Sequence, residues 1–133
     1  MIDFSWETVR LFLHVLAATV WVGGQLTLAA LVPALRRAAP DAPRAAALAF
    51  NKVAWWAFAV LVVTGIWNVA DQPSDTTSGY DAALGLKLLV VAASGLTAYL
   101  HTRATTPRAR GLYGGLTALT AVTALLLGVL LSG

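Results

Sequence analysis

The sequence contains no cysteine and one methionine, Met1. The missing cysteines exclude disulfides, thiolate metal centres and a cysteine nucleophile. Charge is also scarce, because 11% of the 133 residues are charged where a soluble domain carries about 25%. The small excess of nine basic over six acidic residues lies in two connections, where membrane orientation explains it better than a nucleic-acid partner. The composition therefore predicts an integral membrane protein whose surroundings are a lipid bilayer.

Four apolar stretches reach the length of about 20 residues that a membrane-spanning helix needs. None alternates with the period of two that a membrane β-barrel strand requires, so helices are predicted. We therefore expect an all-α fold, an integral membrane four-helix bundle formed by one domain over residues 1–133. The predicted helices cover about residues 5–36, 46–70, 81–102 and 109–132. Asp41 is expected to cap the second helix.

Basic residues set the predicted orientation. They cluster in the first and third connections, whereas the second connection carries only acidic charge. The positive-inside rule therefore places the two basic connections in the cytoplasm and both termini on the outer side. The first apolar run follows an acidic start rather than a basic one, so we expect a retained helix and not a cleaved signal. The basic residues concerned are Arg36, Arg37, Arg44, Lys52, Arg103, Arg108 and Arg110.

One face of the first helix carries polar or amphipathic side chains. At 100° per residue they fall within an arc of ~60°, and they are Arg10, His14, Trp21 and Gln25. The neighbouring pair Gly23 and Gly24 allows a backbone or a flat ligand to approach closely. His14 lies ~12 Å deep and is too short to reach water, so it is the main functional candidate. The alternative for His14 is a hydrogen bond inside the bundle, and Arg10 is expected to extend to the membrane surface.

The third helix places Lys87, Ser94 and His101 on one face. Lys87 is predicted at ~9 Å depth, close to the level of His14. His101 is ~21 Å further along the helix, so one metal ion held by both histidines is implausible. Lys87 either extends to the outer surface or has a buried role. His101 is expected at the cytoplasmic boundary, and at most as a weak metal ligand.

The first helix resembles that of the copper-resistance protein D domain family. The resemblance consists of His14, Trp21 seven residues later, and the pair Gly23 and Gly24. Segments 63–68 and 84–89 resemble the second and third helices of that family. The chain is also similar to the four-helix bacterial membrane protoporphyrinogen oxidases, although the glycine pair departs from their pattern. That similarity implies a bacterial inner membrane location, and haem b binding by His14 and Lys87.

A haem-binding redox protein is the first functional hypothesis. His14 would be an axial ligand, and Lys87 a second ligand or the partner of a propionate. Arg10 would pair with a propionate and Trp21 would stack on the macrocycle. Gly23 and Gly24 would let the macrocycle lie near the backbone. If the protein is an enzyme, the resemblance implies an oxidoreductase of the protoporphyrinogen oxidase type.

Two other hypotheses stay open. The family name implies copper handling, but copper(I) prefers thiolate and thioether ligands, which the spans lack. His14 and His101 would then form separate weak sites. A third hypothesis is a non-catalytic membrane partner subunit or homodimer that associates through faces rich in glycine and alanine. The haem hypothesis predicts a role in redox chemistry or in haem or metal homeostasis. The copper hypothesis predicts copper transport or copper homeostasis.

Overall fold

The computed structural model describes residues 4–71 and 78–132, which contain helices and no β-strand. All four long helices have the length and apolar composition needed to cross a membrane. The prediction of an all-helical chain with helices of membrane-spanning length is therefore confirmed. The helices are α1 (Trp6–Ala38), α2 (Ala42–Ala70), α3 (Ser78–Arg103) and α4 (Pro107–Ser132).

The chain divides into two compact units, Met1–Gln72 and Pro73–Gly133. The first unit contains α1 and α2, and we call it the first hairpin. The second unit contains α3 and α4, and we call it the second hairpin. Within each hairpin the two helices pack against each other, so each candidate residue is described below by its contacts inside its own hairpin.

The start of α2 differs from the prediction. Asp41 occupies the position before the helix, but its side chain makes no capping hydrogen bond, so the predicted capping role is wrong. The helix begins at Ala42 rather than near residue 46, with Pro43 in the first turn. Proline is tolerated there because the first helical N–H groups have no partner inside the helix. Pro43 thus lies inside the first turn of α2, upstream of the predicted start.

The interior of both hairpins consists mainly of small or hydroxyl-bearing residues, and large apolar side chains lie outside. Ala121 and Ser94 are each 1% exposed, whereas Leu89 is 68% and Leu130 66% exposed. A water-soluble protein rarely exposes so much contiguous apolar surface. Small residues at helix contacts are typical of membrane proteins, where close backbone approach holds helices together.

Helix α1 contains a π-helical turn at Thr19–Gly23, which the sequence analysis did not predict. A π turn accommodates one more residue than an α-helical turn. The spacing of 100° per residue therefore does not apply across this segment. The predicted ~60° arc rests on that regular spacing, which holds between Arg10 and His14 in the α-helical part of α1. Isolated π turns within α-helices are frequent at functional sites.

Candidate functional site

His14 of α1 is hydrogen-bonded to the neighbouring helix of the first hairpin. Its Nδ1 lies 2.7 Å from Oγ1 of Thr64 on α2. The same hydroxyl lies 2.6 Å from the carbonyl oxygen of Val60, one turn earlier. Thr64 is 3% exposed, so the arrangement is shielded by the two helices. These contacts form a chain from the imidazole through the hydroxyl to the backbone.

The direction of these hydrogen bonds fixes the tautomer of His14. A carbonyl oxygen only accepts, so the single hydroxyl proton of Thr64 is donated to the backbone carbonyls of Val60 and Leu61. The oxygen of Thr64 then accepts from Nδ1–H of His14. In the neutral form of the imidazole this arrangement leaves the lone pair on Nε2. Metal-bound histidines usually have this arrangement, in which one ring nitrogen donates to the protein and the other binds the metal.

Arg10 is buried, at 7% exposure, and its charge is compensated within the first hairpin. Its Nη1 donates to Oδ2 of Asp71, which follows the last residue of α2. Its guanidinium carbon lies 5.8 Å from the centre of the Trp67 ring. A carboxylate 61 residues away thus holds Arg10 at the end of the first hairpin, and its level relative to the membrane surface stays a prediction.

The pairing with Asp71 also bears on the predicted propionate contact of Arg10. An incoming carboxylate would have to compete with one that is already in place. The Nε of Arg10 is buried and has no hydrogen-bond partner among the described residues. The guanidinium therefore retains one N–H group that an anion could use only after a rearrangement at this end of the hairpin.

Removing the carboxylate of Asp71 is expected to destabilise the protein. In Asp71→Asn the buried guanidinium of Arg10 loses its nearer anionic partner and retains Glu7, whose Oε1 lies 3.9 Å from Nη2. The loss costs about 1–3 kcal/mol of unfolding free energy. The Asp71 side chain is 56% exposed, so we expect the lower end of that range. Thermal unfolding in detergent, followed by circular dichroism, measures the effect. Asp41→Asn is the matched control because Asp41 is exposed and makes no capping bond. Equal unfolding temperatures for both variants would contradict the proposed pairing.

Trp21 is 4% exposed and packs on aromatic rings of α2. Its ring centre lies 4.6 Å from that of Phe58 and 5.7 Å from that of Trp55. Such tilted aromatic pairs contribute beyond simple burial. Trp55 of α2 is part of this cluster, because its ring also contacts that of Phe58. The contacts that Trp21 makes here are thus with its own hairpin.

The two glycines of α1 have different surroundings. A Cβ atom on Gly24 would overlap the ring of Phe50, whereas one on Gly23 would meet no atom within 4 Å. Gly24 is therefore required for the close approach of Phe50 on α2. Gly23, in the π turn, borders open space. Of the pair, Gly23 is the residue that fits the predicted approach of a flat ligand.

Lys87 belongs to the second hairpin, where it lies against α4. Its Nζ is 3.3 Å from the position that a Cβ atom on Gly128 would occupy. The missing side chain at Gly128 thus gives the ammonium group access to the backbone of α4. The two roles that the sequence left open for Lys87 stay predictions.

His101 is also anchored through Nδ1, which lies 2.8 Å from the carbonyl oxygen of Arg110. Because that carbonyl only accepts, Nδ1 must carry the proton, as in His14. The ring lies beside Gly114, where a Cβ atom would come within 3.1 Å of Cε1. The bond joins the end of α3 to the first turns of α4.

Hydroxyl groups connect the middle of the second hairpin. Ser94 is 1% exposed, and its hydroxyl lies 3.4 Å from the carbonyl oxygen of Thr117. The hydroxyls of Thr117 and Thr97 lie 3.0 Å apart. Sequence reasoning placed Ser94 on the same face as Lys87 and His101 but did not predict these threonine contacts. They are polar contacts between small residues, of the kind that hold membrane helices together.

Clustered metal ligands do not occur in the described residues. Within residues 4–71 and 78–132, no group of three or more histidine, cysteine, aspartate or glutamate side chains is arranged to hold a metal ion.

No family model, curated protein or solved structure matches the chain.

Proposed function

We propose that this chain is a multi-pass membrane protein of the copper-resistance D type that binds haem b through Nε2 of His14. Its role would lie in redox chemistry or in haem and metal homeostasis. The observation that carries the proposal is the hydrogen-bond chain from His14 through Thr64 to Val60. In that chain a neutral imidazole protonated at Nδ1 would present its lone pair on Nε2, the form in which histidine binds iron.

The candidate residues of the first hairpin then have separate roles. Thr64 orients the imidazole and fixes its tautomer. Gly23 leaves space beside α1. Trp21 and Phe58 pack α1 against α2. The role of Lys87, in the second hairpin, as a second ligand or a propionate partner stays a prediction of the resemblance. Arg10 would bind a propionate only in competition with Asp71. A bound haem would supply one-electron redox chemistry, whose potential depends on the axial ligand and its hydrogen bonds.

The proposed setting is a bacterial inner membrane with both termini outside. This orientation is supported by the arginines of the first and third connections and by the acidic second connection. A homodimer formed through glycine- and alanine-rich faces is part of the same proposal. If the protein is an enzyme, the resemblance implies an oxidoreductase of the protoporphyrinogen oxidase type, with no catalytic residue assigned.

The test is a haem titration of the purified protein in detergent, read from its absorption spectrum and its metal content. We expect a Soret band that saturates near one haem per chain. The absence of a Soret band after haem addition would overturn the proposal. Stoichiometric copper in protein purified without added cofactor, together with no haem binding, would favour the copper alternative instead. If the purified protein binds neither haem nor copper, the partner-subunit hypothesis remains.

A further inference from the structure

The connection between α3 and α4 carries concentrated positive charge. Arg103 at the end of α3, and Arg108 and Arg110 in the first turns of α4, are all exposed. No acidic residue follows Asp81 in the sequence. In the part of the chain that the structure describes, no carboxylate forms an ion pair with any of these three arginines. Within residues 4–71 and 78–132 their charge thus has no carboxylate partner, which leaves these guanidinium groups open to an external anion.

Exposed apolar side chains adjoin these arginines on the same helix faces. On α3, Leu96 and Tyr99 precede Arg103 by seven and four residues, which places them on its face. On α4, Leu112 follows Arg108 by four residues. The exposed fractions are 60% for Leu96, 50% for Tyr99 and 59% for Leu112. Each helix thus presents a cationic group at the end of an apolar strip.

Two contacts order this end of the second hairpin. The guanidinium carbon of Arg103 lies 5.8 Å from the centre of the Tyr99 ring, within the range of a cation–π interaction. His101 donates from Nδ1 to the carbonyl oxygen of Arg110, which ties the first turns of α4 to the end of α3. The three arginines therefore lie at the corner between α3 and α4, where a hydrogen bond joins the two helices.

We propose that this corner, formed by Arg103, Arg108 and Arg110 with the apolar strip of Leu96, Tyr99 and Leu112, binds the headgroup of an anionic phospholipid. A phosphate accepts paired hydrogen bonds from guanidinium groups, and the acyl chains of the same molecule cover the apolar strip. Basic residues at the end of a membrane helix are attracted to anionic lipid. This binding is independent of the proposed haem site in the first hairpin.

The choice of a lipid over a free anion or an acidic protein rests on the combination of charge and apolar surface. A free phosphate would use the arginines and leave the strip uncovered. An acidic protein segment would have to enter at the level where the helices become apolar. A phospholipid places its phosphate at the arginines and its acyl chains on the apolar strip at the same time.

The experiment counts lipids bound to the full chain in mixed micelles by native mass spectrometry. Dioleoyl phosphatidylglycerol is compared with dioleoyl phosphatidylcholine, with inorganic phosphate as competitor. The test variant is Arg103→Gln/Arg108→Gln/Arg110→Gln, and the control Arg36→Gln/Arg37→Gln removes charge from the first hairpin. We expect the test variant to lose about tenfold in preference for the anionic lipid, and the control to lose far less. The corresponding triple lysine variant should retain most of the preference because it keeps the charge.

Three results would overturn the proposal. The first is an unchanged lipid preference in the test variant, provided that circular dichroism shows unaltered helicity. The second is an equal loss in the control variant, which would assign binding to net charge rather than to this corner. The third is complete displacement of the lipid by inorganic phosphate at equal phosphorus concentration, which would identify a simple anion site.

Discussion

Replacing Thr64 with valine is expected to weaken haem binding by about 10- to 100-fold, the usual effect of removing a group that orients a metal-bound histidine. Valine has nearly the shape of threonine but lacks the hydroxyl that accepts from His14 and donates to Val60. The imidazole then loses the bond that fixes its tautomer. Haem titration followed by absorption gives the dissociation constant of each variant.

A structural role for Thr64 alone would produce a different pattern. Thr64→Ser keeps the hydroxyl and should restore the affinity, and nitrogen NMR of labelled histidine should show the tautomer of His14 changing only in Thr64→Val. Thr117→Val is the matched control, because Thr117 is a buried threonine of the second hairpin. Unchanged haem affinity and an unchanged His14 tautomer in Thr64→Val would contradict the proposed positioning role.

Substituting the two adjacent glycines of α1 with alanine is expected to have opposite effects on stability. In Gly24→Ala the new methyl group overlaps the ring of Phe50, and such overpacking costs about 1–3 kcal/mol. In Gly23→Ala the methyl group enters open space, and the better helix propensity of alanine adds up to about 1 kcal/mol. Unfolding in detergent, followed by circular dichroism, measures both changes.

A double-mutant cycle separates the clash at Gly24 from other effects. Phe50→Ala removes the ring, so adding Gly24→Ala to it should cost little or should stabilise the protein. An equal cost of Gly24→Ala in the presence and absence of Phe50 would show that the ring is not the cause. Equal behaviour of Gly23→Ala and Gly24→Ala would contradict the packing of α1 on α2 described above.

The helices were predictable because their signal is local. Apolar runs of sufficient length determine where spans occur. Prolines such as Pro40 and Pro107 mark where one run ends and the next begins. The end positions were less accurate, and α2 begins at Ala42 because proline is acceptable in a first turn. The π turn at Thr19–Gly23 was not predictable, because the sequence analysis assumed regular helical spacing throughout.

The candidate site was predictable only in part. The depth of His14 and its place on a polar face follow from helical spacing, and both suggested a functional imidazole. Its partner Thr64 lies 50 residues away and resembles the many threonines that bond to their own helix, so composition does not single it out. The pairing of Arg10 with Asp71 depends on where α2 ends and how it is rotated. A polar residue deep in one helix and a threonine at similar depth in the next is the signal that could have found the first pair.

The most direct measurement for the central claim is haem titration of two matched variants, His14→Ala and His101→Ala. Both histidines are anchored through Nδ1, so the comparison removes the same chemical group from the two hairpins. The account predicts that His14→Ala lacks the Soret band of a bound haem and that added imidazole restores part of it. His101→Ala should bind haem like the unmodified protein. A full Soret band in His14→Ala, or its loss only in His101→Ala, would contradict the assignment of His14 as the iron ligand.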